Sequence, residues 1–196
     1  MAVAAAEATV DQSGLVERAR GGDHDAFTAL VDISIARLDA AARLVLRDPE
    51  LARDAVQETL IRAWRDLPGL RDPRRFDAWL HRLTVNACLD LARRRRRRPM
   101  EVDLTPLDMP EMRDLAGDIA DRQLLDDALR RLDERHRAVI VLHFFLGMPL
   151  PEVAASLGIP VGTAKSRLHY SLAAMRASVH EEEQPFAVPV VKGLMT

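Results

Sequence analysis

The sequence has a single cysteine, Cys88, together with one tyrosine, two tryptophans and five phenylalanines among 196 residues. One thiol excludes an intramolecular disulfide and a cysteine-based zinc site. The apolar neighbours of Cys88 predict a buried structural thiol rather than a nucleophile. Aromatics make up 4% of the chain and hydrophobic residues 48%, mostly Ala, Leu and Val, a balance that favours helices over sheets. No apolar run approaches the roughly 20 residues a membrane span needs. The opening MAVAAAEATVDQSG lacks the basic region and apolar core of a signal peptide. These absences predict a soluble, cytoplasmic protein without membrane insertion.

Catalytic patterns are missing as well. His24, His81, His136, His143, His169 and His180 are dispersed without metal-ligand spacing. There is no phosphate-cradling glycine loop and no nucleophile elbow, and Asp126-Asp127 reads as helix-surface charge. The expectation is a non-enzyme with no catalytic residue, metal or cofactor.

What is present is an uneven charge distribution. The formal net charge is −2, yet Arg62 to Arg98 is heavily basic, while Glu101 to Asp127 and Glu181-Glu182-Glu183 are acidic. Such asymmetry points to a nucleic-acid surface on a near-neutral protein.

The most informative stretch is LPEVAASLGIPVGTAKSRLHYSLAAMR, Leu150 to Arg176. It predicts two helices joined by a tight turn. Val153, Ala154 and Leu157 face inward on the first, Gly158 supplies the permissive backbone of the turn, and Pro160 suits a first helical turn. On the second helix Val161, Ala164, Leu168, Leu172 and Met175 form an apolar stripe. Thr163, Ser166 and Tyr170 point the opposite way, flanked by Lys165, Arg167 and His169. No Asp or Glu lies between Pro160 and Arg176, although 30% of the chain is charged. A solvated hairpin face is the ordinary meaning of such a pattern, but small residues at Ala154, Ala155, Gly158 and Gly162 and the turn length fit a DNA-binding helix-turn-helix.

Upstream, a short helix is expected at 15–20. A second begins near Asp23 or Asp25, with Phe27, Leu30, Val31, Ile35, Leu38, Ala42 and Leu46 as its core face. Asp48-Pro49-Glu50 starts a helix reaching Leu67. Its second face, Asp54, Gln57, Glu58, Ile61 and Arg65, places an isoleucine among polar groups, compatible with a docked partner helix and equally with a solvated face carrying one stray apolar residue.

Asp72-Pro73 opens another helix, with Phe76, Leu80, Leu83, Ala87 and Leu91 inward. Trp79, Arg82, Asn86, Asp90 and Arg93 form its second stripe. A stacking plane, a bidentate amide and phosphate-binding arginines suit a splayed single-stranded base; a core tryptophan is the competing reading of Trp79. The run Arg93 to Arg98 repels itself unless a polyanion neutralises it. From Pro99 the sequence PMEVDLTPLDMPEMRDLA loses periodicity and reads as a flexible acidic linker.

The fold expected is all-α. The segments are a flexible N-terminus (1–14), a helical domain (15–98), the linker (99–117), a second helical domain containing the helix-turn-helix (118–177) and a C-terminal tail (178–196).

Three blocks carry a family resemblance. ARDAVQETLIRAWRDL (Ala52–Leu67) resembles the core-polymerase-binding helix of sigma region two. FDAWLHRLTVNACLDLARRRRRR (Phe76–Arg98) resembles the helix that melts and reads the −10 element, and Leu132–Arg176 resembles region four. The chain is thereby similar to bacterial RNA polymerase sigma factors of the extracytoplasmic-function (ECF) group. The resemblance implies an initiation factor that directs core polymerase to promoters. Asp54, Gln57, Glu58, Ile61 and Arg62 would meet the clamp helices of the largest polymerase subunit, with a further contact to the flap. Trp79, Arg82, Asn86, Arg93, Arg94, Arg95 and Arg96 would meet the −10 strand. Thr163, Lys165, Ser166, Arg167, His169 and Tyr170 would meet the −35 major groove, with Tyr170 standing where many relatives carry Arg. An anti-sigma factor is a frequent partner of the family and is not readable here. Two rival readings use fewer of these features: a stand-alone helix-turn-helix regulator, and an RNA-binding protein using the arginine run.

Overall fold

Aspartates start several of the helices. In the computed structural model, which describes residues 11–97 and 119–182, Asp11 caps α1 (Gln12–Arg20) and Asp23 caps α2 (His24–Leu46). Asp48 caps α3 (Pro49–Asp66), accepting from the backbone N–H groups of Glu50 and Leu51, both at 3.0 Å. Each carboxylate satisfies donors that a helix start leaves unpaired. Short 3-10 turns at Leu67–Gly69 and Pro73–Arg75 separate α3 from α4 (Phe76–Arg97). The second domain comprises α5 (Ile119–Arg130), α6 (Glu134–Ile140), a π-helical turn (Val141–Phe145), α7 (Leu150–Leu157) and α8 (Val161–Glu182).

Helix α1 begins at Gln12 rather than at Leu15 because Asp11 accepts from Gly14 N–H at 3.0 Å. Helix α8 runs to Glu182, beyond the boundary at residue 177 that fading apolar periodicity suggests. Periodicity registers only packing, and a helix can outlast the surface it packs on. The expected linker, 99–117, and residues 183–196 of the expected tail lie outside the described residues.

Helices α1 to α4 enclose Val16, Leu30, Leu38, Val45, Phe76 and Val85, all 2% exposed or less. Trp64 of α3 stacks on His24 at 4.4 Å and meets Phe27 edge-on at 5.0 Å, tying the far end of α3 to the start of α2. Cys88 is fully buried, and burial pushes its thiol up to about 12, as a structural thiol requires. In the second domain α5, α6 and α7 all pack on α8, around Leu129, Leu132, Val139, Leu142, Val153 and Ala164. No helix among the described residues is long and apolar enough to cross a membrane.

The buried apolar residues of the two domains form one cluster, and polar contacts with a definite pattern add to it. Helix α2 ends on Arg47 in the left-handed conformation, φ 55°, and its guanidinium meets Asp126 Oδ1 of α5 at 2.6 Å. Asp126 is therefore 8% exposed, not the surface charge its sequence context suggests; its neighbour Asp127 is the exposed member of the pair. Arg137 of α6, 7% exposed, donates Nε–H to Val45 O at 2.7 Å and Nη1–H to Leu132 O at 2.8 Å. These carbonyls belong to the ends of α2 and of the α5 connection, where helix carbonyls lack internal partners.

His81 on α4 is 7% exposed, and burial, helped by the nearby Arg37 charge and opposed by Asp77, lowers its pKa to about 4. The unfolded chain binds a proton near pH 6.5 that the folded chain refuses until about pH 4. Stability is therefore full above the unfolded value and falls as pH drops through that window, by up to about 3 kcal/mol. The buried ring predicts a melting temperature that declines from pH 7 to pH 4.5, and His81→Leu should flatten the decline. An equally steep profile in the variant would assign the proton elsewhere.

Candidate nucleic-acid and polymerase interfaces

Three outward faces hold the residues singled out by sequence. The first lies on α3. Asp54 and Gln57 are exposed, Ile61 is 61% exposed, and Glu58 and Arg62 are half-buried. An exposed isoleucine one turn beyond Gln57 and Glu58 makes an apolar point on a polar helix, the form of a docking anchor. Glu58 and Arg62 are not free: they pair with each other, and Arg62 Nη2 reaches Asp90 Oδ2 of α4 at 3.5 Å. Two members of this face therefore also pin α3 to α4.

The second face follows α4. Trp79 is half-buried, its ring 5.9 Å from Phe76 and tilted, so it is neither a core residue nor a free plane. Arg82 is exposed and Asn86 is half-buried along the same stripe. Trp79 and Arg82 line a cleft of about 250 Å³ whose opposite wall is Met148, Glu152, Ala155 and Ser156. Helix α7 thus stands directly against the expected −10 face, and Arg75 meets Glu152 at 3.6 Å.

The arginine run departs from expectation. Self-repulsion suggested a need for an external polyanion, but the protein supplies its own carboxylates. Arg93 pairs with Asp90 at 2.6 Å, Arg94 with Glu58 at 3.6 Å, Arg95 with Asp48 at 2.6 Å, and Arg96 with Glu134 of α6. These acids come from three helices and a helix cap, up to 47 residues away in sequence. Opposite charge within ion-pair distance offsets the repulsion, and the pairs with Arg94, Arg95 and Arg96 had no signal in local spacing.

The third face is the helix-turn-helix. Gly158, φ 63°, ends α7 in the left-handed region that a side chain disfavours, letting α8 turn away sharply. Lys165, Ser166, His169 and Tyr170 are exposed on α8, and Thr163 and Arg167 are half-buried. Ser166 Oγ donates to Gly162 O at 2.9 Å, so its hydroxyl is partly committed to its own helix. The expected apolar stripe needs one correction. Val161 is 40% exposed, whereas Ser171 is wholly buried, its hydroxyl donating to Arg167 O at 2.7 Å. A small residue that satisfies its own hydroxyl fits on the buried side of α8, where α5, α6 and α7 pack. On α7, Ser156 is buried and Leu157 half-buried, a similar shift of the inward face. Among the described residues no three His, Cys, Asp or Glu side chains gather as a metal site.

A helical domain with a basic, carboxylate-matched helix, joined to a helix-turn-helix with an acid-free outer face, defines a DNA-binding transcription factor built on two readers. Comparison with known proteins makes the class specific. Residues 31–98 match the family model Sigma-70 region 2, and residues 122–175 match Sigma-70, region 4. The ECF RNA polymerase sigma factor SigL of Mycobacterium tuberculosis is 37% identical over 156 residues, covering 78% of this chain and 88% of the relative. SigW of Bacillus subtilis is 28% identical over 180 residues, covering 85% and 95%. Among solved structures, CnrH in complex with the cytosolic domain of CnrY aligns with a TM-score of 0.62 at 30% identity, over 87% of this chain and 98% of that one. The sigma factor RpoE of Bartonella quintana, solved with the anti-sigma factor NepR, shares the fold at a TM-score of 0.61 and 23% identity, over 79% and 96%. The chain belongs to the ECF sigma factors. It is a non-enzymatic initiation factor that directs RNA polymerase to promoters.

From sequence Asp48 reads only as a helix cap and Asp126 only as surface charge, while Glu134 and Arg137 give no signal, because the partners that matter are distant in sequence. Glu134 gives a direct test. Glu134→Gln should release Arg96 to phosphate, strengthening single-stranded DNA binding at low salt. It should also steepen the salt dependence by about 0.7 in slope, one phosphate contact. A slope equal to wild type, measured by fluorescence anisotropy across a salt series, would mean that the Glu134 pair does not limit Arg96.

Proposed function

We propose the following division of labour among these faces. Asp54, Gln57, Glu58, Ile61 and Arg62 dock on the clamp helices of the largest subunit of core RNA polymerase, with Ile61 as the apolar anchor. The second domain makes a further contact at the flap. Trp79, Arg82 and Asn86 hold the −10 strand, Trp79 by stacking and Asn86 by hydrogen bonds to a base edge, while Arg93 to Arg96 contact phosphates. Thr163, Lys165, Ser166, Arg167, His169 and Tyr170 read the −35 major groove. The protein acts in the cytoplasm. It is held inactive by an anti-sigma factor, a reading supported by the complexes in which the related RpoE and CnrH were solved.

The observation that carries this reading is the acid-free outer face of α8, with exposed Lys165 and His169 beside Arg167, on the same chain as the arginine-rich α4. A helical stretch that offers donors and, from Val161 to Arg176, no carboxylates suits the acceptor-rich major groove. The partition also explains why two separate readers suffice. Each contributes weak contacts, and polymerase fixes their spacing, so the second contact forms at high effective concentration. Extracting a −10 base costs a few kcal/mol, which stacking and phosphate contacts offset.

Run-off transcription with purified core polymerase on a promoter library tests the assignment. Wild-type protein should add transcripts that share −10 and −35 sequences. Ile61→Glu should weaken core binding at least about tenfold, roughly 1.4 kcal/mol, while leaving the fold intact. Arg167→Ala should weaken −35 binding by about 1–3 kcal/mol and relax preference at one position. Tight duplex binding without polymerase, and no added transcripts with it, would overturn the assignment of these faces. Unaltered core affinity in Ile61→Glu would move the polymerase contact off this side of α3.

A further inference from the structure

Tyr170 is the one tyrosine of the chain, and its side chain does not project alone. It is 59% exposed on α8, yet its ring rests on the imidazole of His136 in α6, centroids 4.9 Å apart and planes inclined by 47°. The imidazole is fixed in turn. Nδ1 of His136 lies 2.7 Å from Asp133 Oδ1, and the same oxygen accepts the His136 backbone N–H at 2.9 Å while capping α6. Asp133 therefore selects the tautomer with the proton on Nδ1 and holds the ring plane. A helix cap, an imidazole and a phenol form one mechanical line from α6 to the outer face of α8.

A solitary aromatic on a helix surface divides its time among rotamers, and ordering it on DNA costs entropy. A ring already seated against a fixed neighbour has lost that freedom before DNA arrives. We propose that His136, oriented by Asp133, is a positioning residue that pre-sets Tyr170 for base contact in the −35 major groove. The inference rests on the reading of α8 as the −35 helix and adds to it a residue outside that helix. His136 acts through Tyr170. The phenol brings an apolar ring edge, suited to a thymine methyl, and one hydroxyl able to donate or accept at a base edge.

The same contact could exist only to seal the α6–α8 junction, and the test separates the two. The full-length protein, assembled with core polymerase, is measured on a library randomised through the −35 element. The variants are Tyr170→Ala, His136→Ala, their combination, His136→Phe and Arg167→Ala. Because Asp133 caps through the backbone N–H of residue 136, His136→Ala keeps the cap, and His136→Phe restores a ring should the alanine variant fold poorly. Tyr170→Ala should reduce affinity about three- to tenfold and flatten preference at one base position. His136→Ala should flatten the same position, the double variant should be no worse than Tyr170→Ala, and His136→Phe should recover the preference.

A uniform loss across all sequences in His136→Ala, or multiplied effects in the double variant, would overturn positioning and leave a structural contact. Unchanged preference in Tyr170→Ala, with Arg167→Ala still altering its own position, would also overturn it while sparing the −35 helix. If neither variant changes any preference, the reading of α8 itself fails and the positioning role falls with it.

Discussion

A buried guanidinium holds the two domains in register. Arg137 is enclosed at the junction, and its N–H groups meet the carbonyls of Val45 and Leu132, with Leu129 O more distant at 3.4 Å. Burial lowers its pKa to about 10, with the neighbouring Arg47 and Arg96 charges acting the same way and Glu134 opposing, so it remains charged at neutral pH. A charge removed from water is costly unless its donors are satisfied. Here one partner, Val45 O, is a carbonyl at the end of α2, where the last carbonyls lack intrahelical donors and carry the negative end of the helix dipole. The other, Leu132 O, belongs to the turn after α5. The planar fork of arginine spreads its donors over three nitrogens in a fixed plane and so reaches separate carbonyls, whereas the three donors of a lysine radiate from one nitrogen. The left-handed turn at Arg47 follows from the same junction: ending α2 there presents Val45 O to Arg137 and sends the Arg47 side chain to Asp126.

That junction governs what the functional faces can do. With α6 held against the end of α2, Glu134 lies beside Arg96, and α7 stands across from Trp79 and Arg82. Within the first domain Glu58 is shared between Arg62 and Arg94, so the proposed polymerase face and the arginine run draw on one carboxylate. Removing Arg94 to a phosphate would leave Glu58 to Arg62 alone. The two faces are therefore electrostatic neighbours, although no spacing rule along the chain connects them.

Much of this was legible in sequence, for reasons that differ by element. Asp48-Pro49-Glu50 announced α3 because capping chemistry is local, and the same holds for Asp23 before α2. Ile61 stood out because an apolar residue broke a polar stripe, and it is exposed. The outer face of α8 was readable from the absence of acids up to Arg176, a property of one stretch of one helix. The illegible parts are those decided by tertiary neighbours. Val161, expected in the apolar stripe, is exposed and Ser171, for which the stripe gave no sign, is buried, because tertiary neighbours and not apolarity alone set exposure. Nothing near Asp126 in sequence reveals Arg47, and nothing near His136 reveals Tyr170. The π-helical turn at Val141–Phe145 likewise answers to its surroundings: Met148 N–H reaches back to Leu142 O, and His143 Nδ1 contacts Met148 O.

Internal neutralisation also bears on specificity. Binding a polyanion to bare arginines gains chiefly from releasing condensed counterions, a gain blind to sequence. When Arg93 to Arg96 already face Asp90, Glu58, Asp48 and Glu134, each phosphate must displace a carboxylate that remains nearby and repels it. Surface pairs of this kind are individually weak, about 0–1 kcal/mol each, so displacement is affordable when several contacts form together and unfavourable for one at a time. The sequence-blind part of the affinity is reduced, while the proposed base contacts from α8 and the Trp79–Asn86 stripe retain their full weight. On the proposed assignment, this chain of net charge −2 discriminates promoters because its own acids tax every non-specific encounter.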